Sequence, residues 1–390
     1  MTHGMDIRIT RGRVLIDDRF EDATVRVSGH EGVISDLGAD VTAACTFDAD
    51  GLLVLPGIVD IHGDAFERQM MPRPGVDVPI DVALGESDRQ AVANGITTVF
   101  HSVTWSWEPG LRGAENARGI LDAIERLRHS FLADTRFHLR HETFNLAAEG
   151  EVADWLATHR IDAVAFNNHM PSVDTVTRRP DKLNEMIQRS GLAREDFLLL
   201  VQNLRARHEE VPHSIKRIAA MANANQVPLV SHDDASPEQR RWYRTLGCRV
   251  SEFPINIETA QEAAEAGDSI VLGAPNVMRG KSHLGWVDAT AMVARGLCSA
   301  LASDYYYPAP LIAAFRLAHL GVAPIERAWR LVSEAAAGAV GLTDRGRISC
   351  GLRADLALVD IRAGRSPRLV GVMAAGRLVY LTEAERIAKG

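Results

Sequence analysis

Apolar runs of strand length alternate with longer amphipathic stretches through the middle of the chain. The helical stretches include ALGESDRQAVANG and SIKRIAAMANANQ, and the strand candidates are GIVDIHGD, GITTVFHSV, FHLRHETF, IDAVAFNNH, VPLVSHDD, CRVSEFPI, SIVLGAP and CSALASDYY. This alternation predicts a parallel α/β fold, and eight strands are the number that a closed (β/α)₈ barrel needs. The run FLLLVQNL, which begins at Phe197, is ambiguous; we interpret it as helix because charged residues continue beyond it.

Shorter strand-like runs, separated by turn residues, occupy both ends of the chain. DIRITRGRVLI, DATVRVSG and LLVLPG precede the middle region, and GLRADLALVDIR and PRLVGVMAAGRLVYL follow it. This pattern predicts β structure at each end. It leaves open whether the two ends build one domain or two unrelated extensions.

Composition narrows the class of protein. The 390 residues are 46% hydrophobic and 24% charged, as in an ordinary globular protein, and the formal net charge is −8. That charge argues against a nucleic-acid partner, although a locally basic cleft can still bind an anionic small substrate. We expect no membrane span, because no apolar run approaches about 18 residues.

The cysteines and the beginning of the chain bear on the compartment. Cys45, Cys248, Cys298 and Cys350 are scattered and form no CxxC pair. A disulfide framework or a thiolate zinc site is therefore not expected, and the beginning of the chain lacks the apolar core of a signal peptide. We expect a cytoplasmic protein.

Ionisable residues follow several of the predicted strands directly. Since the carboxyl ends of barrel strands converge on one face, these side chains are candidates for one site. Imidazole and carboxylate donors suit Zn²⁺ or another divalent transition metal. The candidates are His62, Asp64, His141, Glu142, His169, His232, Asp233, Asp234 and Asp304.

Each candidate also has an ordinary structural explanation. His62 and Asp64 point to the same side of a strand, which suits a shared metal but also an ordinary polar strand end. Glu142 can pair with Arg140, His169 and His232 can be loop or hydrogen-bonded histidines, and Asp304 can cap a helix. Because ligand-type residues occur at five separate strand ends, metal binding is favoured over a separate structural explanation for each residue.

Three stretches resemble the amidohydrolase superfamily: VLPGIVDIHGD, GITTV and GLRADLALVD. The resemblance implies a metal-dependent (β/α)₈ barrel over residues 56–346. It also implies a small β-sandwich domain built from both termini, residues 1–55 plus 347–390. Asp64 stands where most members have a second histidine, and Glu142 is the best substitute for the usual carboxylated lysine.

Other stretches resemble the phosphonate-pathway diphosphatases within this superfamily. They are HGDAFERQMMPRPGV, NGITTVFHSV, FHLRHE, NNHMP, PLVSHDDAS, SEFPINIETA, GAPNVMRGKSH and LASDYYYPA. The resemblance implies hydrolysis of α-D-ribose 1-methylphosphonate 5-triphosphate to the 5-phosphate and pyrophosphate. Two features depart from expectation: His141 replaces a smaller residue, and His169 and His232 fall one strand early, as if a strand were miscounted or hidden.

The resemblance also implies roles for the candidates. One divalent ion, Zn²⁺ or else Mn²⁺ or Fe²⁺, would be surrounded by His62, Asp64, Glu142 and Asp304, and a second by Glu142, His169 and His232. Asp304 would accept a proton from the attacking water. Asp233, or Asp234 instead, would orient His232.

Basic residues on the barrel loops are the expected phosphate contacts. They are Arg73, Arg279, Lys281 and His283, with Gly280 leaving backbone amides accessible. Arg73 and Arg279 have the alternative of pairing with Glu67 or Asp77. Tyr305, Tyr306 and Tyr307 are expected either to touch the ribose or to pack at the rim.

Two other functions are compatible with the sequence. A deaminase or cyclic amidase would use the same barrel without a phosphate-binding cluster. A non-catalytic barrel subunit would normally have lost metal ligands, whereas the predicted set is complete. A homodimer is also compatible, since superfamily members often pair.

Overall fold

The computed structural model describes residues 4–38, 43–73, 75–172, 176, 179–280, 288–362 and 366–389. The strands in chain order are β1 Ile7–Thr10, β2 Arg13–Ile16, β3 Arg19–Asp22, β4 Val25–Ser28, β5 Val33–Leu37, β6 Cys45–Asp48, β7 Leu52–Pro56, β8 Ile58–Gly63, β9 Ile96–Trp105, β10 Asp134–Glu142, β11 Ala163–Asn167, β12 Leu229–His232, β13 Val250–Glu252, β14 Ser269–Gly273, β15 Ala300–Ala302, β16 Leu356–Asp360, β17 Arg368–Ala374, β18 Arg377–Leu381 and β19 Ile387–Lys389.

Strands β8 to β15 form one parallel sheet in sequence order, and each coincides with one of the eight predicted strands. The sheet curls until its first and last strands meet. There, the Asp304 amide donates to the His62 carbonyl and the Asp64 amide donates to the Asp304 carbonyl, both at 2.9 Å. The predicted (β/α)₈ barrel is confirmed, and its closing seam carries three of the predicted site residues.

Helices cover the outside of the barrel and also extend its loops. They are α1 Glu67–Met70, α2 Ile80–Val92, α3 Ala114–Leu127, α4 Glu149–Ala157, α5 Pro180–Ser190, α6 Arg194–Arg205, α7 Val211–Ala224, α8 Pro237–Thr245, α9 Ile257–Glu265, α10 Ala274–Arg279, α11 Ala289–Ala294, α12 Ala309–His319, α13 Ile325–Arg330 and α14 Glu334–Ala339. The ambiguous run from Phe197 lies in α6 and is helical, as predicted.

The helix assignment settles the strand count. In the described part of the chain between β11 and β12, the regular elements are all helical. His169 therefore follows the fourth barrel strand and His232 ends the fifth. Since β11 pairs directly with β12 in the barrel sheet, the two histidines follow the strands that the sequence analysis assigned to them.

Two smaller sheets combine strands from both ends of the chain. One has the order β19-β6-β1-β4-β5 and the other β18-β17-β16-β7-β2-β3. Alternating buried residues of these sheets share an apolar core that includes Ile9, Val25, Phe47, Leu356 and Val370. The last strand, β19, lies antiparallel to β6, so the two ends of the chain are hydrogen-bonded together.

Within the described residues, no helix is both long enough and apolar enough to cross a bilayer.

Candidate metal centre

A bulge in the first barrel strand places its polar residues at the mouth. Asp60 of β8 pairs with Val99 and Gly63 pairs with His101, so three steps along β8 match two steps along β9. One extra residue in a strand redirects the side chains that follow it. His62 and Asp64 consequently both reach the closing seam of the barrel, beside Asp304.

The side chains of His62, Asp64 and Asp304 form the first candidate ligand group. One potential ligand atom from each lies within 4.8 Å of the others. Since Asp304 follows the eighth strand, the group joins the two ends of the barrel sheet. This is the core of the first predicted metal site.

A second candidate ligand group consists of His169, His232 and Asp233, again within 4.8 Å of one another. His169 Nε2 lies 3.8 Å from Asp233 Oδ2, and His232 Nε2 lies 3.6 Å from Asp233 Oδ1. Asp233 thus faces the nitrogens that point into the site. This is a different place from the orienting position that the sequence suggested for it.

Glu252, which the sequence analysis did not single out, orients two of the histidines. Its side chain is fully buried at the end of the sixth strand, and Oε2 accepts from His62 Nδ1 at 2.9 Å and from His232 Nδ1 at 3.1 Å. Burial opposes ionisation, but the neighbouring His62 and His138 hold the pKa of Glu252 well below its usual value. The signal was available, because Glu252 ends its strand as the other candidates do.

Glu142 is placed differently from its predicted bridging position. Its Oε1 accepts from His169 Nδ1 at 2.6 Å, and its Oε2 accepts from the His169 amide at 2.9 Å. Burial would raise the pKa of Glu142, but His169 lowers it to about 2. The structure brings Glu142 to the back of one candidate ligand and into neither ligand group, so bridging by Glu142 stays a prediction.

The side chains at the mouth fit a divalent transition metal. His62 Nε2 is buried, and in the described part of the molecule it has no hydrogen-bond partner. A carboxylate on Nδ1 of a histidine fixes the tautomer whose Nε2 lone pair is free to bind a metal. His62 Nε2 with the Asp64 and Asp304 carboxylates is a nitrogen and oxygen donor set of the kind that zinc binds.

The two carboxylates of the first group differ in protonation. Burial and the negative charge of Asp64 raise the pKa of Asp304 to about 7. Burial also acts against ionisation of Asp64, but the guanidinium of Arg140, 2.9 Å away, holds the pKa of Asp64 below its ordinary value. One member of the pair is therefore suited to exchange a proton near neutral pH.

Two neighbouring candidates face away from the ligand groups. Asp234 is buried among Ser231, Ser251 and Arg240, at 2.6, 2.8 and 3.2 Å, so it does not orient His232. His141 is buried behind β10 near the Phe166 ring, and burial lowers its pKa to about 4. His141 is thus part of the packing between strand and helix layers.

Two of the predicted phosphate contacts lie in the described part of the chain, one in the loop after α1 and one at the end of α10. Arg73 and Arg279 are exposed, and Arg279 donates to the Tyr305 hydroxyl at 3.4 Å. Lys281 and His283 lie outside the described residues. Glu67, the alternative partner for Arg73, is instead paired with Arg112 at 2.8 Å.

The three tyrosines after Asp304 have different environments. Tyr307 is buried in the core, Tyr306 is 39% exposed, and Tyr305 is intermediate, with the Arg68 guanidinium 5.5 Å from its ring centroid. Tyr307 therefore packs in the core. Tyr305 and Tyr306 remain candidates for the rim.

Solved structures with the same architecture cover nearly the whole chain. The structure of an amidohydrolase has a TM-score of 0.66 at 15% identity. The match covers 97% of this chain and 99% of that one. An adenosine deaminase from Xanthomonas campestris with bound zinc has a TM-score of 0.62 at 16% identity, with coverage of 96% and 93%. The fold is that of the amidohydrolase class, although no protein-family model matches the chain.

Sequence similarity gives a finer assignment. The chain is 32% identical over 324 residues to the α-D-ribose 1-methylphosphonate 5-triphosphate diphosphatase of Escherichia coli (strain K12). The aligned region covers 80% of this chain and 84% of that protein. The chain belongs to that diphosphatase family and is a hydrolase.

Proposed function

We propose that this protein is a metal-dependent diphosphatase that hydrolyses α-D-ribose 1-methylphosphonate 5-triphosphate to the 5-phosphate and pyrophosphate. The observation that carries the proposal is the group formed by His62, Asp64 and Asp304 at the closing seam of the barrel. Family membership supplies the substrate, and this group supplies the chemistry that a phosphoric anhydride requires.

His62, Asp64 and Asp304 would hold a divalent metal at the mouth of the barrel. Such a metal activates water near neutral pH and stabilises negative charge on phosphate oxygens. Asp304, beside Asp64 at the closing seam of the barrel, would also accept the proton that the attacking water loses. Glu252 holds the His62 imidazole in the orientation that directs Nε2 into the site.

The four charges of a triphosphate require cations beyond the metal. Arg73, in the loop after α1, and Arg279, at the end of α10, are exposed. Together with Lys281 and His283, they are our candidates for the contacts to the leaving pyrophosphate, since guanidinium and ammonium groups bind phosphate oxygens well. Zinc as the metal, a role in phosphonate metabolism, a cytoplasmic location, a homodimer and the absence of a nucleic-acid partner are further parts of the proposal that come from the sequence.

The test is product formation from the 5-triphosphate, followed by phosphorus NMR and by pyrophosphate release, with and without a chelator. We expect activity that the chelator removes and that added Zn²⁺ or Mn²⁺ restores. Asp304→Asn should lower activity by at least about 10²–10⁴-fold, the usual contribution of a general base, because it also weakens metal binding. Asp122→Asn, which changes an exposed carboxylate on α3, is the matched control and should keep the native rate.

Parallel assays on nucleobases and cyclic amides test the main alternative. Pyrophosphate release from the triphosphate, with no C–N hydrolysis, would retire the deaminase or amidase function. Native rates in Asp304→Asn would show that Asp304 is not the base. Protein that contains no metal, and gains no activity with Zn²⁺ or Mn²⁺, would indicate a non-catalytic barrel.

A further inference from the structure

A buried arginine lies between the two candidate ligand groups. Arg140 projects from β10, and its side chain is only 6% exposed. Nη1 donates to Asp64 Oδ2 of the first group at 2.9 Å, and Nη2 lies 3.4 Å from His232 Nε2 of the second. The one guanidinium therefore touches a predicted ligand of each site.

A third neighbour fixes the position of this guanidinium. When the Asn167 amide is oriented with its oxygen toward Arg140, that oxygen accepts from Nε at 2.9 Å and from Nη2 at 3.3 Å. The planar guanidinium carries five donors in a fixed fork, so partners on three sides hold both its place and its plane. Arg140 is a rigid part of the barrel mouth.

The contact with His232 competes directly with a metal. Because ionised Glu252 can only accept, His232 Nδ1 must carry the proton that points at it, which leaves the lone pair on Nε2. Arg140 can only donate, so it is directed at that same lone pair. A metal on His232 Nε2 would have to displace the guanidinium.

The contact with Asp64 is compatible with a metal. A carboxylate has two oxygens and about four lone-pair sites, so Asp64 can accept from Arg140 through Oδ2 and still bind a metal. Carboxylate ligands of metals are commonly hydrogen-bonded in this way. The first ligand group can thus be filled with Arg140 in place, whereas the second cannot.

The positive charge of Arg140 also disfavours a second metal ion. In two-metal sites the ions lie about 3.5–4 Å apart and share the charge of the phosphoryl group. A guanidinium in contact with both ligand groups already supplies a second positive charge, and it repels a further cation at short range.

We infer that this chain tightly binds one divalent metal, at His62, Asp64 and Asp304, and that the Arg140 guanidinium takes the place and charge of the second. The inference rests on the proposed function for its need of a metal and of a second cation facing the phosphates. It differs from the sequence-based hypothesis, which places a second metal on Glu142, His169 and His232.

Metal stoichiometry tests the inference without measuring activity. Protein stripped with a chelator is reloaded with excess Zn²⁺, desalted and analysed by mass spectrometry of the elements. We expect one zinc per chain in the wild type and two in Arg140→Met, which keeps an unbranched side chain but removes the guanidinium with its charge and its donors. Arg136→Met, on the same strand but paired with Asp134, is the matched control and should keep one zinc.

Two zinc ions in the wild type, or one in a folded Arg140→Met, would overturn the inference. If Arg140→Met does not fold, His169→Gln provides a second test at a position 31% exposed. This variant should keep one zinc, whereas Asp304→Asn should lose most of its zinc. Loss of zinc in His169→Gln would show that the metal binds at the second ligand group, and it would contradict the inference. Failure of the proposed function shows separately, as one bound zinc without pyrophosphate release.

Discussion

Three histidines at the barrel mouth share one arrangement, in which Nδ1 faces a carboxylate. Glu252 accepts hydrogen bonds from Nδ1 of His62 and of His232, and Glu142 accepts one from Nδ1 of His169. Because an ionised carboxylate only accepts, each imidazole is held with its proton on Nδ1. The two glutamates therefore determine which nitrogen of each histidine faces the site.

Glu252→Gln should weaken metal binding by about 10–100-fold, the usual effect of losing such a partner. An amide oxygen is a weaker acceptor than a carboxylate oxygen, so it holds the two Nδ1 donors less firmly. Competition with a zinc-binding dye measures the affinity. Glu238→Gln on the surface of α8 is the control, and equal affinities in the two variants would contradict a positioning role for Glu252.

Metal binding should release a proton from Asp304 below neutral pH. Its pKa of about 7 in the metal-free protein means that the carboxyl is mostly protonated at pH 6 and ionised above pH 8. Since a metal binds the ionised form, the apparent affinity should rise with pH up to about 7, and this group should then contribute no further increase.

Calorimetric titration with Zn²⁺ in two buffers of different ionisation enthalpy counts the protons released. The titration at pH 8 provides the comparison, because the Asp304 carboxyl is already mostly ionised there before the metal binds. Equal proton release at pH 6 and pH 8 in the wild type would contradict the raised pKa of Asp304.

At the scale of elements, the seam between the first and last barrel strands depends on a glycine. A Cβ added at Gly63 would lie 2.7 Å from Asp60 Oδ2 and 3.1 Å from Ser303 Oγ. Those two groups are themselves hydrogen-bonded at 2.5 Å, and Asp60 also accepts from the Ser303 amide at 2.8 Å. The glycine between His62 and Asp64 thus lets the strands close.

Gly63→Ala should lower the free energy of unfolding by about 1–3 kcal/mol, as overpacking of a buried site does. Denaturant titration followed by circular dichroism measures the change. Gly150→Ala on α4 meets nothing within 4 Å and should be neutral or stabilising by about 0.5–1 kcal/mol. Similar stability of both variants would show that the seam has room for a side chain.

At the scale of the whole molecule, a tryptophan joins the barrel helices to the terminal sheets. Trp329 of α13 is fully buried, and its Nε1 donates to the Pro56 carbonyl at the end of β7 at 3.0 Å. β7 lies between β16 and β2 and runs directly into the first barrel strand. The division of the chain at residues 55 and 347 stays a prediction, although strands from both termini share these sheets.

Trp329→Phe should destabilise the protein by about 1–3 kcal/mol, since it leaves a buried carbonyl without this donor. Thermal unfolding should shift to lower temperature. Trp242→Phe, at a half-buried position on α8, is the control and should have a smaller effect. An unchanged melting temperature in Trp329→Phe would show that the hydrogen bond from Trp329 to the Pro56 carbonyl does not stabilise the protein.

The sequence by itself determined the eight barrel strands and the face on which the site lies. Both follow from local information, since strand length, alternation and the residue after each strand depend on neighbours in the chain. The same information placed His62, Asp64 and Asp304 at strand ends, and the structure brings these three together.

Only the tertiary structure decided what each side chain faces. Contacts between residues distant in the chain determine three features of the site. They are the bulge between Asp60 and Gly63, the hydrogen bonds of Glu252 to two histidines, and the position of Arg140. Glu142 illustrates this: the family resemblance implied a bridging ligand, and only the structure shows that its carboxylate accepts from His169 Nδ1. Strand ends converge by geometry, but packing across the barrel decides which of them share a metal.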